Sequence, residues 1–152
     1  MANTFTQIHI HCVFAVRDRF SLILPSFREE LFRYITGIVQ NNNHKLIAIN
    51  GMPDHLHIFI RLRPTQSLSD LMQDVKGSSS IWINKKKLIV GKFEWQSGFG
   101  AFSYSSSQID SVIKYIQNQE QHHKSITFID EYLDILKEFA IPFDERYIFK
   151  KV

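Results

Sequence analysis

The sequence predicts an α+β fold: an antiparallel sheet with two helices on one face, followed by a further helix. Two observations carry that prediction. The stretches around residues 4–16 and 55–62 alternate polar and apolar side chains with the period of a strand. Between and after them, apolar residues recur at helical spacing, so the elements run β-α-β-β-α-β before the additional helix begins near Ser107.

The first strand spans Thr4 to Val16, with Ile8, Ile10, Cys12, Phe14 and Val16 on one face and Gln7, His9, His11, Val13 and Ala15 on the other. Pro25-Ser26-Phe27-Arg28-Glu29 reads as a capping box, Ser followed three residues later by Glu. It opens a helix to about Asn41 whose buried stripe is Phe27, Leu31, Ile35 and Ile38. Asparagines 41 to 43 stop it. Lys45 to Asn50 forms a second strand, and the turn Gly51-Met52-Pro53-Asp54 leads into a third, making a hairpin.

In that third strand Leu56, Ile58, Ile60 and Leu62 fill the buried face, while His55, His57, Phe59 and Arg61 line the other. Ser67 caps a second helix carrying Leu68, Leu71, Met72, Val75, Ile81 and Trp82; the small-residue run Gly77 to Ser80 interrupts its pattern. Phe93 to Tyr104, with Gly98 and Gly100, fits a fourth strand containing an irregular segment. This is the ferredoxin-like arrangement, in which the first and third strands are central neighbours. His9 and His11 then lie beside His55 and His57 on a sheet face left open, as RNA-recognition folds leave theirs.

Ser107 caps the additional helix, which extends to about His122 with the stripe Ile109, Val112, Ile113 and Ile116. Beside the stripe stand Tyr115, Gln119 and His122, at i, i+4 and i+7. A tyrosine in that position is by itself ordinary amphipathic packing. A last amphipathic segment, Phe128 to Phe139, and a tail from Pro142 to Val152 complete the chain, and no chemistry is legible in the tail.

Composition narrows the class. With 152 residues, 44% hydrophobic and 22% charged, and no Pro- or Gly/Ser-rich linker, residues 1–152 are expected to form one domain. The formal charge is +3, with basic clusters at Arg17/Arg19, Lys85 to Lys87 and His122 to Lys124. That favours polyanions mildly and is equally compatible with a solvated surface. Thirteen Phe, five Tyr and two Trp offer stacking surfaces, although most Phe belong in a core. The single cysteine, Cys12, excludes an internal disulfide and a cysteine-based zinc site. Neither a signal peptide nor a membrane span is evident, so a cytoplasmic protein is expected.

The chemistry concentrates at Pro53-Asp54-His55-Leu56-His57. Two imidazoles separated by one residue on a strand point to the same face, a chelating geometry that needs a third ligand from elsewhere. With these residues assembled, the whole chain resembles the single-tyrosine HUH transposases of the insertion-sequence 200/605 type, enzymes that move DNA as single strands. The matching stretches are His11-Cys12-Val13-Phe14 with Arg17 and Arg19, Asp54-His55-Leu56-His57, and Lys76 with Ser78-Ser79 and Trp82. Trp95-Gln96-Ser97-Gly98-Phe99 with Ala101-Phe102-Ser103, and Tyr115 through His123, complete the match.

The resemblance implies that His55, His57 and Gln119 bind a divalent metal, Mg²⁺ or Mn²⁺, and that Tyr115 is the nucleophile forming a 5′-phosphotyrosine. It implies single-stranded DNA with hairpin ends as substrate, and a homodimer with the tyrosine helix exchanged between subunits. Candidate nucleic-acid contacts are His11, Arg17, Arg19, Lys76, Arg61 and His122. Two other readings stand beside it: a non-catalytic single-strand-binding module of the same fold, and a host-adapted nicking relative acting on repeated palindromes. A histidine-triad hydrolase fits poorly, because Phe59 occupies the position of its third histidine.

Overall fold

The computed structural model describes residues 4–143; most of the C-terminal tail therefore lies outside the described residues. The elements are β1 (His9–Ala15), α1 (Arg28–Asn41), β2 (Lys45–Met52), β3 (His55–Arg61), α2 (Leu68–Lys85), β4 (Gly100–Tyr104), α3 (Ile109–Gln117), α4 (Gln119–His122) and α5 (Phe128–Glu138). The sheet is antiparallel throughout, in the order β2-β3-β1-β4, so the two histidine-bearing strands are the central pair.

Strand parity sorts the core. Cys12, Phe14, Val16, Leu56, Ile58 and Ile60 face α1 and α2 and pack with Leu31, Ile35, Leu71, Val75 and Ile83. Ser79 resolves the small-residue run: it is fully buried, donates to Val75 O (2.6 Å) and accepts from Trp95 Nε1 (2.9 Å), so a small residue lets the indole approach an unbroken α2. Ser67 caps that helix, accepting from Asp70 N. Ile81, expected on the buried stripe, is mostly exposed, and Ile83 takes that place.

Three other expectations are corrected. The Ser26 capping box does not form: α1 starts at Arg28 after Phe27, with no side-chain cap, because Leu24 O accepts from the amides of Phe27 and Arg28 in a preceding turn. Regular pairing in the last strand begins only at Gly100; residues 93–99 are irregular, touching the sheet through the Val16–Trp95 bridge and clasped by Asn84, which bonds both N–H and C=O of Phe93. The helix expected from Ser107 to His122 is broken at Asn118 (φ −95°, ψ 20°) and is preceded by a short 3₁₀ turn at Ser106–Gln108. Asn50 of β2 donates to Ile116 O (3.0 Å) and Gln117 O (3.1 Å), satisfying carbonyls that the break leaves without helical partners.

The largest correction concerns the sheet face expected to be open, which is covered. Val13, Ala15 and Phe102 pack with Phe128, Tyr132, Ile135 and Leu136 of α5, while Ala48 and Phe59 pack with Val112 and Ile116 of α3. The face carries too many apolar side chains to stay wet, and α3 and α5 each have an apolar stripe to bury. Among the described residues, no helix is long and apolar enough to cross a membrane.

Cys12 sits in this interior with no exposure, and burial, which disfavours the thiolate, pushes its thiol up to about 12. An alkylating reagent at pH 8 should therefore leave the native protein unlabelled and label it fully in denaturant. Rapid labelling without denaturant would show that β1 is not held centrally.

Candidate metal and nucleophile centre

The third strand delivers His55 and His57 to the covered face, both fully buried. Register places Ala15 opposite His55 and Val13 opposite His57; His11 is opposite Phe59 and therefore diagonal to His57. The two rings of that diagonal are stacked, with centroids 5.0 Å apart and His11 Nε2 2.8 Å from His57 Nδ1. His9 faces Arg61 across the pair and packs on Phe59, away from this centre.

From the other layer come Tyr115, Gln119, His122 and His123, and a residue the sequence reading passed over, Glu131 of α5. Its carboxylate is only 2% exposed. One oxygen, Oε2, accepts the Tyr115 hydroxyl and Gln119 Nε2 (3.1 Å), with His122 Nε2 3.4 Å away. The other, Oε1, lies 3.0 Å from His123 Nε2, 3.3 Å from His57 Nε2 and 3.5 Å from His55 Nε2. Gln119 Oε1 is 3.2 Å from His55 Nε2 and 3.1 Å from His123 Nε2.

The hydrogen bonds around the rings decide what this arrangement wants. His55 Nδ1 donates to Asp54 Oδ1 (2.7 Å) and His123 Nδ1 to Ile126 O (2.8 Å), so in the neutral rings each Nε2 is a lone pair. Those lone pairs face the oxygens of Gln119 and Glu131. Acceptor against acceptor is unfavourable unless a proton or a cation lies between them. His57 Nε2 is moreover a buried nitrogen with no hydrogen-bond partner. His55, His57 and Glu131 each offer a ligand atom within 4.8 Å of the others, and this buried group has the donor set of a site for a divalent cation. His11 reaches His57 but not the carboxylate.

The titration behaviour follows. Burial pushes His57 down to about 4 and His11 well below the usual imidazole range, in the latter case reinforced by His57. Burial alone would lower His55 too, but its hydrogen bonds to Asp54 and Glu131 outweigh that and raise it. Glu131 would be raised by burial; its close contacts with the His123, His55 and His57 rings prevail and hold it far below the usual carboxylate range. Tyr115 is pushed above the usual phenol range by burial and then by the charge of Glu131.

The remaining candidates are elsewhere. Arg17 is exposed and ion-paired with Glu94. Arg19 has a left-handed backbone (φ 58°) and lines a cleft with Asp54, His123 and Lys124. Lys76 donates to the carbonyls of Gln96 (2.7 Å) and Gly98 (2.8 Å), holding the irregular segment. Arg61 is exposed at the far end of β3. For Glu131 the sequence did carry a signal: in Phe128, Glu131, Tyr132 and Ile135 an acid sits within an apolar helical stripe. Gly100 allows α5 to approach, since a Cβ there would lie 2.6 Å from Tyr132 Oη.

The sheet order and covering helices match the fold of a class of DNA-processing protein. The chain belongs to the IS200-like transposase family, whose description matches residues 4–119. It is a DNA-binding transposase, an enzyme class that cleaves and transfers DNA strands. Among curated proteins it is 23% identical over 118 residues to the ISDra2 transposase TnpA of Deinococcus radiodurans, spanning 74% of this chain and 84% of that one. A crystal structure described as a transposase from Deinococcus radiodurans R1 superimposes with a TM-score of 0.62 at 20% identity, over 78% of this chain and 95% of that one. A REP-associated tyrosine transposase bound to a REP hairpin has a TM-score of 0.62 at 15% identity, over 83% and 74% respectively. Helix α5, and with it Glu131, lies beyond the matched stretch.

Calorimetric titration with Mn²⁺ should separate the donors. His57→Ala and Glu131→Gln are each expected to abolish measurable binding, whereas His11→Ala, which removes only an orienting partner, should weaken it about tenfold. Equal loss in all three would put His11 among the ligands; undiminished binding in Glu131→Gln would remove the carboxylate from them.

Proposed function

We propose that this transposase cleaves and rejoins single-stranded DNA through a covalent bond to Tyr115, at a divalent-metal centre built by His55, His57, Gln119 and Glu131. One observation carries the reading: Tyr115 and the two strand histidines meet at the same buried carboxylate. A carboxylate and an amide oxygen beside two imidazoles suit Mn²⁺, and the two oxygens suit Mg²⁺ as well. When bound, the cation supplies Lewis-acid polarisation of a non-bridging phosphate oxygen.

The protein's own groups do the rest. The Tyr115 oxygen forms a bond to phosphorus as the bond from phosphorus to the 3′ oxygen breaks. A 5′-phosphotyrosine remains, the departing 3′ oxygen takes up a proton from solvent to become a free 3′-hydroxyl, and the reverse reaction rejoins the strand. Tyr115 is a neutral phenol in this arrangement, so it must give up its proton as the new bond forms; the Glu131 carboxylate, already accepting that O–H, is the nearest acceptor. Asp54 and Ile126 fix the orientation of His55 and His123. Unpaired DNA is the fitting substrate because a bendable strand can present a phosphate in line with the half-buried Tyr115 hydroxyl.

Incubation with a single-stranded hairpin substrate and Mg²⁺ or Mn²⁺ should trap a protein–DNA adduct. Tyr115→Phe should abolish it and keep hairpin binding, while Tyr104→Phe and Tyr132→Phe should still form it. Adduct persisting in Tyr115→Phe would refute the mechanism, and tight binding with no cleavage by the unmodified protein would favour a binding module.

Homodimerisation belongs to this proposal through the resemblance. The chain's own α3 brings Tyr115 beside its own His57, with ring centroids 5.8 Å apart, which supports a centre assembled within one chain. Mixing Tyr115→Phe with His57→Ala protein is therefore expected to restore no cleavage; recovered cleavage would show that α3 is exchanged between subunits.

A further inference from the structure

The cleft beside Tyr115 has walls that the cation and the nucleophile do not use. It encloses about 370 Å³ between α3 and α5, within the range of small-ligand pockets. Its apolar surface comes from Val112, Ile135 and the Tyr104 ring, which perpendicular contacts with Phe59 and Phe139 hold in place. Asp134 and Glu138, one helical turn apart on α5, add two exposed carboxylates. Neither forms an ion pair or a hydrogen bond among the described residues.

Other polar groups in the cleft are also unused. Gln108 Oε1 accepts from the Ser105 backbone N–H (3.0 Å) and the Ser105 hydroxyl (3.1 Å), which leaves its Nε2 as a free donor among the described residues. His122 lines the same cleft, and its buried Nε2 has no hydrogen-bond partner. An apolar surface with unanswered donors and acceptors at its margin fits a flat ligand that carries polar edges.

A phosphate does not suit this cleft, because Glu131, Asp134 and Glu138 put three carboxylates on its walls. A nucleobase does. Its faces are apolar, and an exocyclic amino group donates to a carboxylate as cytosine N4 does to Asp or Glu. Adenine, cytosine and guanine each carry such an amino group. Thymine carries none and would turn carbonyl oxygens toward the acids, leaving acceptor against acceptor. In-line attack decides which nucleotide is concerned. The departing 3′ oxygen leaves from the side of phosphorus opposite Tyr115, whereas the nucleotide behind the 5′ phosphate becomes bonded to Tyr115 and stays beside it.

We propose that this cleft is a nucleobase pocket for the first nucleotide of the strand joined to Tyr115, in which Asp134 and Glu138 select a base with an exocyclic amino group over thymine. The strand assignment rests on the cleavage reading above; the base chemistry of the cleft does not.

The test has two arms. In the first, a pool of single-stranded DNA hairpins with randomised flanks is incubated with the protein and Mn²⁺, the covalent adducts are recovered, and the nucleotide attached to tyrosine is read by sequencing. Thymine should be depleted about tenfold at that position. Asp134→Asn/Glu138→Gln, two exposed positions, should bring it back toward its share of the pool, whereas Asp130→Asn, on α5 but outside the cleft, should keep the depletion. Thymine at its pool share with the unmodified protein, or depletion unchanged in the double variant, would overturn the proposal. In the second arm, without metal, millimolar deoxycytidine or deoxyadenosine should shift the methyl resonances of Val112 and Ile135 saturably, and thymidine should not. Asp134→Asn/Glu138→Gln should remove those shifts. Equal shifts with thymidine, or none with any nucleoside, would also overturn it. Failure of the cleavage reading would appear separately, as no adduct from any member of the pool with the nucleoside shifts intact.

Discussion

A carboxylate buried among imidazoles holds its charge only while every neighbour answers it, and Glu131 is in that position. Burial opposes its ionisation; His123, His55 and His57 reverse the outcome. Much of the second layer is arranged accordingly. Helix α5 must dock with Glu131 pointing at β3, which requires the close approach at Gly100 and the apolar stripe of Phe128, Tyr132 and Ile135. The break at Asn118 ends α3, and Gln119 beyond it is fully buried against the same carboxylate, with Asn50 securing the carbonyls at the break.

The same carboxylate shapes the reactivity of the centre. By accepting the Tyr115 hydroxyl it positions the oxygen, and by its negative charge it keeps the phenol neutral. Positioning and activation therefore pull against each other. A cation placed among His55, His57 and Glu131 would relieve that opposition, because it screens the carboxylate and satisfies the facing lone pairs at once. The acceptors are already oriented by their outer hydrogen bonds, so little rearrangement of the histidines is called for.

The two ends of the central strand pair differ in surroundings. At the His55 end, packing on both faces buries His55, His57 and Glu131, while Tyr115 and His122 line a cleft that opens to solvent. At the Arg61 end, the side chains reach solvent and carry unpaired positive charge. An antiparallel central pair makes this separation possible, because it spans the full depth of the chain and presents different residues at its two ends.

What the sequence determined by itself is what is encoded locally. Period-two alternation assigned His55, His57 and His11 to one face of neighbouring strands, and the element order made those strands central, because both follow from bond geometry over a few residues. The one-turn spacing of Tyr115 and Gln119 was likewise legible, although Asn118 breaks the helix between them. Only the tertiary structure decided that the second sheet face is covered, that Lys76 holds a loop, and that Glu131 and His123 join the histidine pair. Those outcomes depend on which apolar stripe packs on which surface, a choice made by contacts between residues far apart in the chain. An acid inside the α5 stripe was visible as an anomaly, but its partners, some seventy residues away on β3, are set by docking and not by local pattern.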